Sequence, residues 1–215
     1  MVAAAEASAR GGIPAVWQRV ITFLLCLLPL AWLVLRALTD QLSANPIEDI
    51  TDATGTWTLR LVLITLAMTP LRRLTGWKWP LRLRRMLGLF VFFYASLHLM
   101  TYLWFDQFFL WSEILADIVE RPFITLGMTA YALLLPLALT SNQASQRWLR
   151  RGWKRLHRLV YPIALLGVIH YYWLVKADVR EPLLYGAVWL VLMGLRLHLP
   201  ASTSRMNRQD EKKSL

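Results

Sequence analysis

The sequence predicts an all-α integral membrane protein, a six-transmembrane-helix bundle with both termini cytoplasmic. Three observations carry that reading. Of 215 residues, 57% are apolar or aromatic and only 17% are charged, against about 25% charged in soluble domains. So short a chain cannot hide this much apolar surface in one core, because small domains keep a large share of their surface. The apolar residues also gather into six stretches, each able, with a turn of flanking Thr or Trp, to cross about 30 Å of hydrocarbon at 1.5 Å per residue. Finally, the basic residues sort to one side.

The first stretch, 16–35, follows Arg10 and Arg19 and looks like the apolar part of a secretion signal. No small-x-small cleavage site follows Leu35, so it is read as a retained helix. An acidic outer connection, 36–56, leads to the second stretch, 57–71. A basic loop, 72–85, then carries Arg72, Arg73, Lys78, Arg82, Arg84 and Arg85 without an acid before the third stretch, 86–105. The outer connection 106–122 precedes the fourth stretch, 123–140. A second acid-free loop, 141–158, carries Arg147, Arg150, Arg151, Lys154, Arg155 and Arg158 and runs into the fifth stretch, 156–175. The sixth is 183–199. The domain reading is a disordered cytoplasmic N-terminus 1–15, a membrane domain 16–199 and a basic cytoplasmic tail 200–215.

Nineteen of the 24 basic residues lie near the N-terminus, in the two basic loops or from Arg196 onward, while ten of the 13 acids lie in the opposite connections. Basic segments stay cytoplasmic. Ten of 11 tryptophans sit near stretch ends, with only Trp189 mid-helix, as amphipathic rings do at headgroup level. The net charge of +11 therefore answers to topology and anionic lipid, and a nucleic-acid role is excluded. Cys26 is the only cysteine, so there is no disulfide framework and no C-x-x-C-H for covalent haem attachment. No G-x-G-x-x-G occurs, no flavin or nucleotide domain fits after the sixth stretch, and no internal repeat stands out.

Four histidines remain. Ionisable groups at membrane depth are costly and read by default as functional. His98 lies 12 residues past Met86, about 18 Å along the third helix, and His170 lies 14 past Leu156 on the fifth. Both helices run outward, so the imidazoles reach similar depth in the outer half of the membrane. Two neutral imidazoles at matched depth can clamp an iron from both faces of a porphyrin, a bis-histidine haem b site. The alternative is that each ring hydrogen-bonds a carbonyl or hydroxyl across the bundle, with Ser96 and Thr101 available. His157, at the cytoplasmic end of the fifth helix, is a candidate ligand of a second haem or part of a donor-cofactor site. Its depth on the third helix is occupied by Arg84 and Arg85, which cannot ligate iron, and His198 reads as an interfacial residue. Arg60 is a candidate partner for a haem propionate, the alternative being the outer headgroups. Arg84, Arg85 and Arg158, with Arg82 and Arg155, would suit a flavin phosphate or a lipid headgroup.

Several segments carry a family likeness: Asn45-Pro46-Ile47-Glu48-Asp49-Ile50 followed by Thr54-Gly55, Arg84-Arg85-Met86-Leu87-Gly88-Leu89, and Ala95-Ser96-Leu97-His98-Leu99. It continues through Arg121-Pro122-Phe123-Ile124-Thr125-Leu126-Gly127, Leu139-Thr140-Ser141-Asn142-Gln143, Leu156-His157-Arg158-Leu159-Val160-Tyr161 and Ile169-His170-Tyr171. Together these resemble the MsrQ or YedZ family, haem-binding membrane subunits of the periplasmic methionine sulfoxide reductase system within the ferric-reductase-like transmembrane superfamily. The resemblance implies a bacterial inner-membrane, multi-pass subunit. It would carry electrons through haem b to a separate periplasmic molybdopterin enzyme that reduces methionine sulfoxide in oxidised proteins. It further implies electrons from the quinone pool or a cytoplasmic flavin reductase, an associated FMN, and His98, His157 and His170 as the histidines of the pattern. The superfamily's second histidine pair is incomplete here, since Arg84 and Arg85 stand where a histidine is needed. Competing functions are a cytochrome b of another respiratory or ferric-reducing complex, and a haem-free transporter with His98 and His170 on its path.

Overall fold

The structure, a computed structural model, describes residues 14–175 and 177–198, and among them all regular structure is helical. In chain order these are α1 (Ala15–Leu38), α2 (Pro46–Thr75) and α3 (Trp79–Thr101), the last continued by a π-helical turn (Tyr102–Asp106). There follow α4 (Trp111–Glu120), α5 (Pro122–Leu139), α6 (Gln143–Leu149) and α7 (Arg151–Leu156), which a 3-10 turn (His157–Leu159) joins to α8 (Val160–Leu174), and then α9 (Arg180–His198). The expected tail 200–215, and all of the expected N-terminal segment 1–15 except Pro14 and Ala15, lie outside the described residues.

Among the described residues, three helices are long and apolar enough to cross a membrane: α1, α3 with its π-helical turn, and α5. The other expected spans are helical but shorter or more polar. α8 has 15 residues, α2 is diluted by threonines and Arg60, and α9 carries Glu181 and Arg196.

Several boundaries differ from the apolar pattern, each for a local reason. α2 starts at Pro46, inside the stretch read as a loop. The Asn45 side chain accepts the Glu48 N–H at 3.5 Å, Pro46 fills the first helical position, and Glu48 and Asp49 occupy the positive first turn. The Asp49 carboxylate accepts from the Ser43 N–H at 2.7 Å and from Arg36 at 3.3 Å, tying the end of α1 to the start of α2. α3 starts at Trp79, so Arg82, Arg84 and Arg85 are helical. The connection expected over 106–122 contains the amphipathic α4, with Ile114 and Asp117 buried and Trp111, Leu115 and Val119 exposed. The fifth stretch is broken at the 3-10 turn, four residues before Pro162, whose missing N–H leaves the Arg158 carbonyl without its helical donor.

α2 packs along α3, and α5 along α8; contacts of α3 with α5 and of α2 with α8 close these hairpins into a four-helix ring. α1 lies against α3 and α2, and α9 against α8 and α2. Leu66, Val91, Tyr94 and Ala164 are almost wholly enclosed at the centre. Two proline kinks are filled by polar side chains from neighbouring helices. At Pro29 the Tyr94 hydroxyl donates to the Cys26 carbonyl at 2.8 Å and accepts the Leu30 N–H at 3.2 Å. At Pro70, which cannot donate to the Leu66 carbonyl, the Arg196 guanidinium does so instead. Arg196 also donates to the Tyr161 hydroxyl at 2.6 Å and lies over its ring.

Candidate functional site

A cavity of about 720 Å³ occupies the middle of the four-helix ring, at the end where the π-helical turn and the start of α5 lie, within the size range of cofactor pockets. Its walls are mostly apolar, with Leu59, Val62, Val91, Leu134 and Ile163 among them, and His98 and His170 project into it from α3 and α8. The two rings stand with centroids 6.1 Å apart and planes at 82°.

Each ring is held the same way. His98 Nδ1 lies 3.0 Å from the Thr51 carbonyl on α2, and His170 Nδ1 lies 2.6 Å from the Phe123 carbonyl on α5. A carbonyl only accepts, so Nδ1 carries the proton and Nε2 keeps its lone pair. Among the described residues neither Nε2 has a hydrogen-bond partner. One helical turn beyond each carbonyl stands a glycine against which the ring lies. A Cβ on Gly55 would sit 2.9 Å from His98 Cε1, and one on Gly127 would sit 3.0 Å from His170 Cε1. Thr51, Gly55 and His98 precede Phe123, Gly127 and His170 by the same 72 residues. That spacing is the sequence signal that a search for repeated composition passes over.

The separation suits one metal ion between the rings. Metal–imidazole bonds of about 2.0–2.1 Å place two opposed nitrogens about 4 Å apart, and the distance from each to its ring centre brings the centroids to roughly 6 Å. Among the described residues no three His, Cys, Asp or Glu side chains gather as a metal site. An ion held here must therefore bring its remaining ligands with it, and a flat macrocycle in an apolar slot does so. The residues fit haem.

The other predicted residues lie elsewhere. Arg60 does not line the histidine cavity. It lines a second cavity of about 740 Å³ between α1, α2 and α9, with Asp49, Asp52, Trp32, Trp57 and Glu181. Its Nε donates to the Tyr185 hydroxyl at 2.9 Å and its guanidinium lies over Trp57. Asp52 and Thr56 face both cavities. The basic residue lining the histidine cavity is Arg121, which the sequence reading passed over. His157 stacks on Trp153 at 3.9 Å, its Nδ1 lies 3.2 Å from the Trp153 carbonyl, and among the described residues its enclosed Nε2 has no hydrogen-bond partner. Its stacking neighbour is thus a tryptophan and not a second histidine. Arg84 lies near His157 and Arg196, Arg85 and Arg158 are exposed, and none of the three lines either cavity. His198 ends α9.

Comparison with known proteins fits this geometry. The family described as ferric reductase like transmembrane component matches residues 54–168, from the turn of Gly55 to just short of His170. The protein-methionine-sulfoxide reductase heme-binding subunit MsrQ of Xanthomonas campestris pv. campestris (strain B100) is 52% identical over 174 residues, covering 81% of this chain and 80% of its own. The chain belongs to the MsrQ family of ferric-reductase-like transmembrane proteins. The MsrQ subunit of Herminiimonas arsenicoxydans is 54% identical over 178 residues, covering 81% of this chain and 82% of its own. That of Xanthomonas axonopodis pv. citri (strain 306) is 52% identical over 166 residues, at 77% and 76% coverage. No solved structure matches. The printed name of these relatives describes a heme-binding subunit of protein-methionine-sulfoxide reductase.

Proposed function

We propose that the chain holds a single haem b between His98 and His170 and serves as an electron-transfer subunit of the bacterial inner membrane. The reading includes six spans with both termini cytoplasmic, which brings the cavity to the outer half of the bilayer. The observation that carries it is the 6.1 Å pair of rings with both Nδ1 atoms engaged and both Nε2 atoms free.

When bound, haem supplies one-electron oxidation and reduction at its iron. The protein does the rest. Thr51 and Phe123 fix the tautomer and aim of the ligands through their carbonyls, and a hydrogen bond on Nδ1 raises the basicity of the coordinating nitrogen. Gly55 and Gly127 let the rings lie close to the helix backbones. The apolar walls keep water from the iron, which sets the potential together with the ligands. The acidic outer connections provide a docking surface for a soluble periplasmic partner, a molybdopterin-containing methionine sulfoxide reductase that repairs oxidised proteins. Reducing equivalents come from the quinone pool or a cytoplasmic flavin reductase. Arg84, Arg85 and Arg158 form the basic cytoplasmic rim, where a flavin phosphate such as that of FMN or a lipid headgroup is held.

The test is a dithionite-minus-oxidised spectrum of detergent-purified protein with haem counted as the pyridine haemochrome. About one haem b per chain is expected, lost in His98→Ala and in His170→Ala and kept in His157→Ala and His198→Ala. Equal haem in all four variants refutes the ligand assignment.

A further inference from the structure

We infer that Arg121 is the cation that receives the carboxylates of the haem, and that Arg60 has no part in holding them. The inference rests on the reading of a haem clamped by His98 and His170. A porphyrin of this type carries two carboxylates on one edge. Buried without a cation or donors they would be costly, so that edge must face the polar end of the cavity.

The polar end is the outer mouth, where Tyr102 and Asp106 of the π-helical turn and Gln107 just after it meet Arg121, which caps the start of α5. Among the described residues Arg121 is the one Arg or Lys lining the cavity, and Asp52 and Asp106 line it too. Two more carboxylates entering beside these acids need a positive charge at the mouth. Arg121 is also held in place to supply it. Its Nε pairs with Asp117 Oδ1 at 3.1 Å, while Asp117 Oδ2 accepts from the Tyr102 hydroxyl at 3.0 Å and from Gln107 Nε2 at 2.6 Å. Asp117 is buried and its acceptors are taken up by these three groups, which join α4, the π-helical turn and α5. The Arg121 side chain is 55% exposed against 11% for Asp117, and among the described residues its two terminal amino groups have no partner. That leaves a planar fork of donors at the mouth, the geometry that carboxylates accept in pairs. Arg60 offers no such fork to this cavity, since it faces the other one and is engaged by Tyr185 and Trp57.

The test titrates protein purified without haem, in detergent, with haemin and with haemin dimethyl ester, which lacks both negative charges, following the Soret band. Wild type is expected to hold haemin about ten-fold more tightly than the ester. Arg121→Gln is expected to reduce that preference to under about two-fold, Arg121→Lys to keep part of it, and Arg60→Gln to keep all of it. The redox midpoint falls in Arg121→Gln, since a positive charge beside the iron favours the reduced form, and stays put in Arg60→Gln. Should Arg121→Gln misfold because Asp117 loses its partner, the double variant Arg121→Gln with Asp117→Asn removes the stranded charge and must show the same loss of preference. A preference kept without Arg121, or abolished by Arg60→Gln, overturns the inference. Wild type that binds neither haemin nor its ester, or His98→Ala and His170→Ala that bind haemin as wild type does, refutes the histidine clamp itself and takes this inference with it.

Discussion

Replacing Gly55 or Gly127 with alanine sets two ordinary effects against each other, and the structure says which wins. Alanine is the better helix former by about 1 kcal/mol, so helix propensity alone predicts a more stable protein. The added Cβ, however, would stand 2.9 Å from His98 Cε1 and 3.0 Å from Nδ1, or 3.0 Å from both atoms of His170. Carbon contacts are relaxed at about 3.5–4.0 Å, so the ring must withdraw by roughly 0.5–1 Å. It cannot do so freely, because its Nδ1 is bonded to a carbonyl on the glycine's own helix, one turn before the glycine, at 3.0 Å for His98 and 2.6 Å for His170. Overpacking costs about 1–3 kcal/mol and a lost hydrogen bond about 1 more. The sum, roughly 2–4 kcal/mol, is about a 30- to 1,000-fold loss of haem retention. Haem per chain after detergent purification, with thermal unfolding of the same samples, reads both effects. Gly88→Ala and Gly194→Ala, whose added Cβ would meet nothing within 4 Å, are the controls and should keep their haem. A Gly55→Ala or Gly127→Ala protein that keeps full haem and melts higher would refute the argument.

Three further outcomes follow from the structure. Tyr94→Phe strips the Pro29 kink of the hydroxyl that serves both the Cys26 carbonyl and the Leu30 N–H, and should cost about 1–3 kcal/mol in thermal unfolding with haem content unchanged. Arg196→Met leaves the Leu66 carbonyl at Pro70 without its donor, with a similar destabilisation of about 1–3 kcal/mol, again with haem retained; loss of haem in either variant would contradict the separation of these kinks from the site. Asp49 titrates below the usual carboxylate range, chiefly because the Ser43 N–H bonds to it and also through Arg36, against a smaller opposing effect of burial. Its folded pKa is depressed, so its contribution is complete above the unfolded value of about 3.9 and is lost as pH falls through the lower folded value. Hydrogen exchange at the Ser43 amide should therefore stay protected from pH 8 to 5 and open only below about pH 4; opening near neutrality would show that Asp49 does not hold this turn.

The all-helical class was legible because apolar runs and loop charge are local properties, and α5 matches its stretch within a residue at each end. The start of α2 was hidden because residues 46–56, six of them Asp, Glu or Thr, look like a loop until Asn45, Pro46 and Glu48 are read as a helix cap. The pairing of His98 with His170 could be argued from depth along two helices, since the rise per residue is fixed. The partners of the rings could not. Thr51 and Phe123 act through backbone carbonyls, which no side-chain pattern announces, and Gly55 and Gly127 act by what they lack. Arg60 and Arg121 show the limit most plainly: each lines a cavity that Asp52 also lines, and only the rotation of α2 decides that Arg60 faces Trp57 and Tyr185 rather than the histidines. Arg196 was invisible as a partner of Leu66 because the two lie 130 residues apart.

The repeat of 72 residues between Thr51, Gly55, His98 and Phe123, Gly127, His170 has an electronic consequence. Two hairpins present the same ring, the same carbonyl and the same gap from opposite sides, so a metal held between them would meet matched donors. Neither face can then be made the stronger pull without spoiling the match, so the clamp fixes affinity and leaves little room for adjusting the driving force. That adjustment would fall to the perimeter, where Asp52 and Arg121 are free of the repeat. A change of charge on this rim would then shift the potential of a bound haem while the clamp stays as it is.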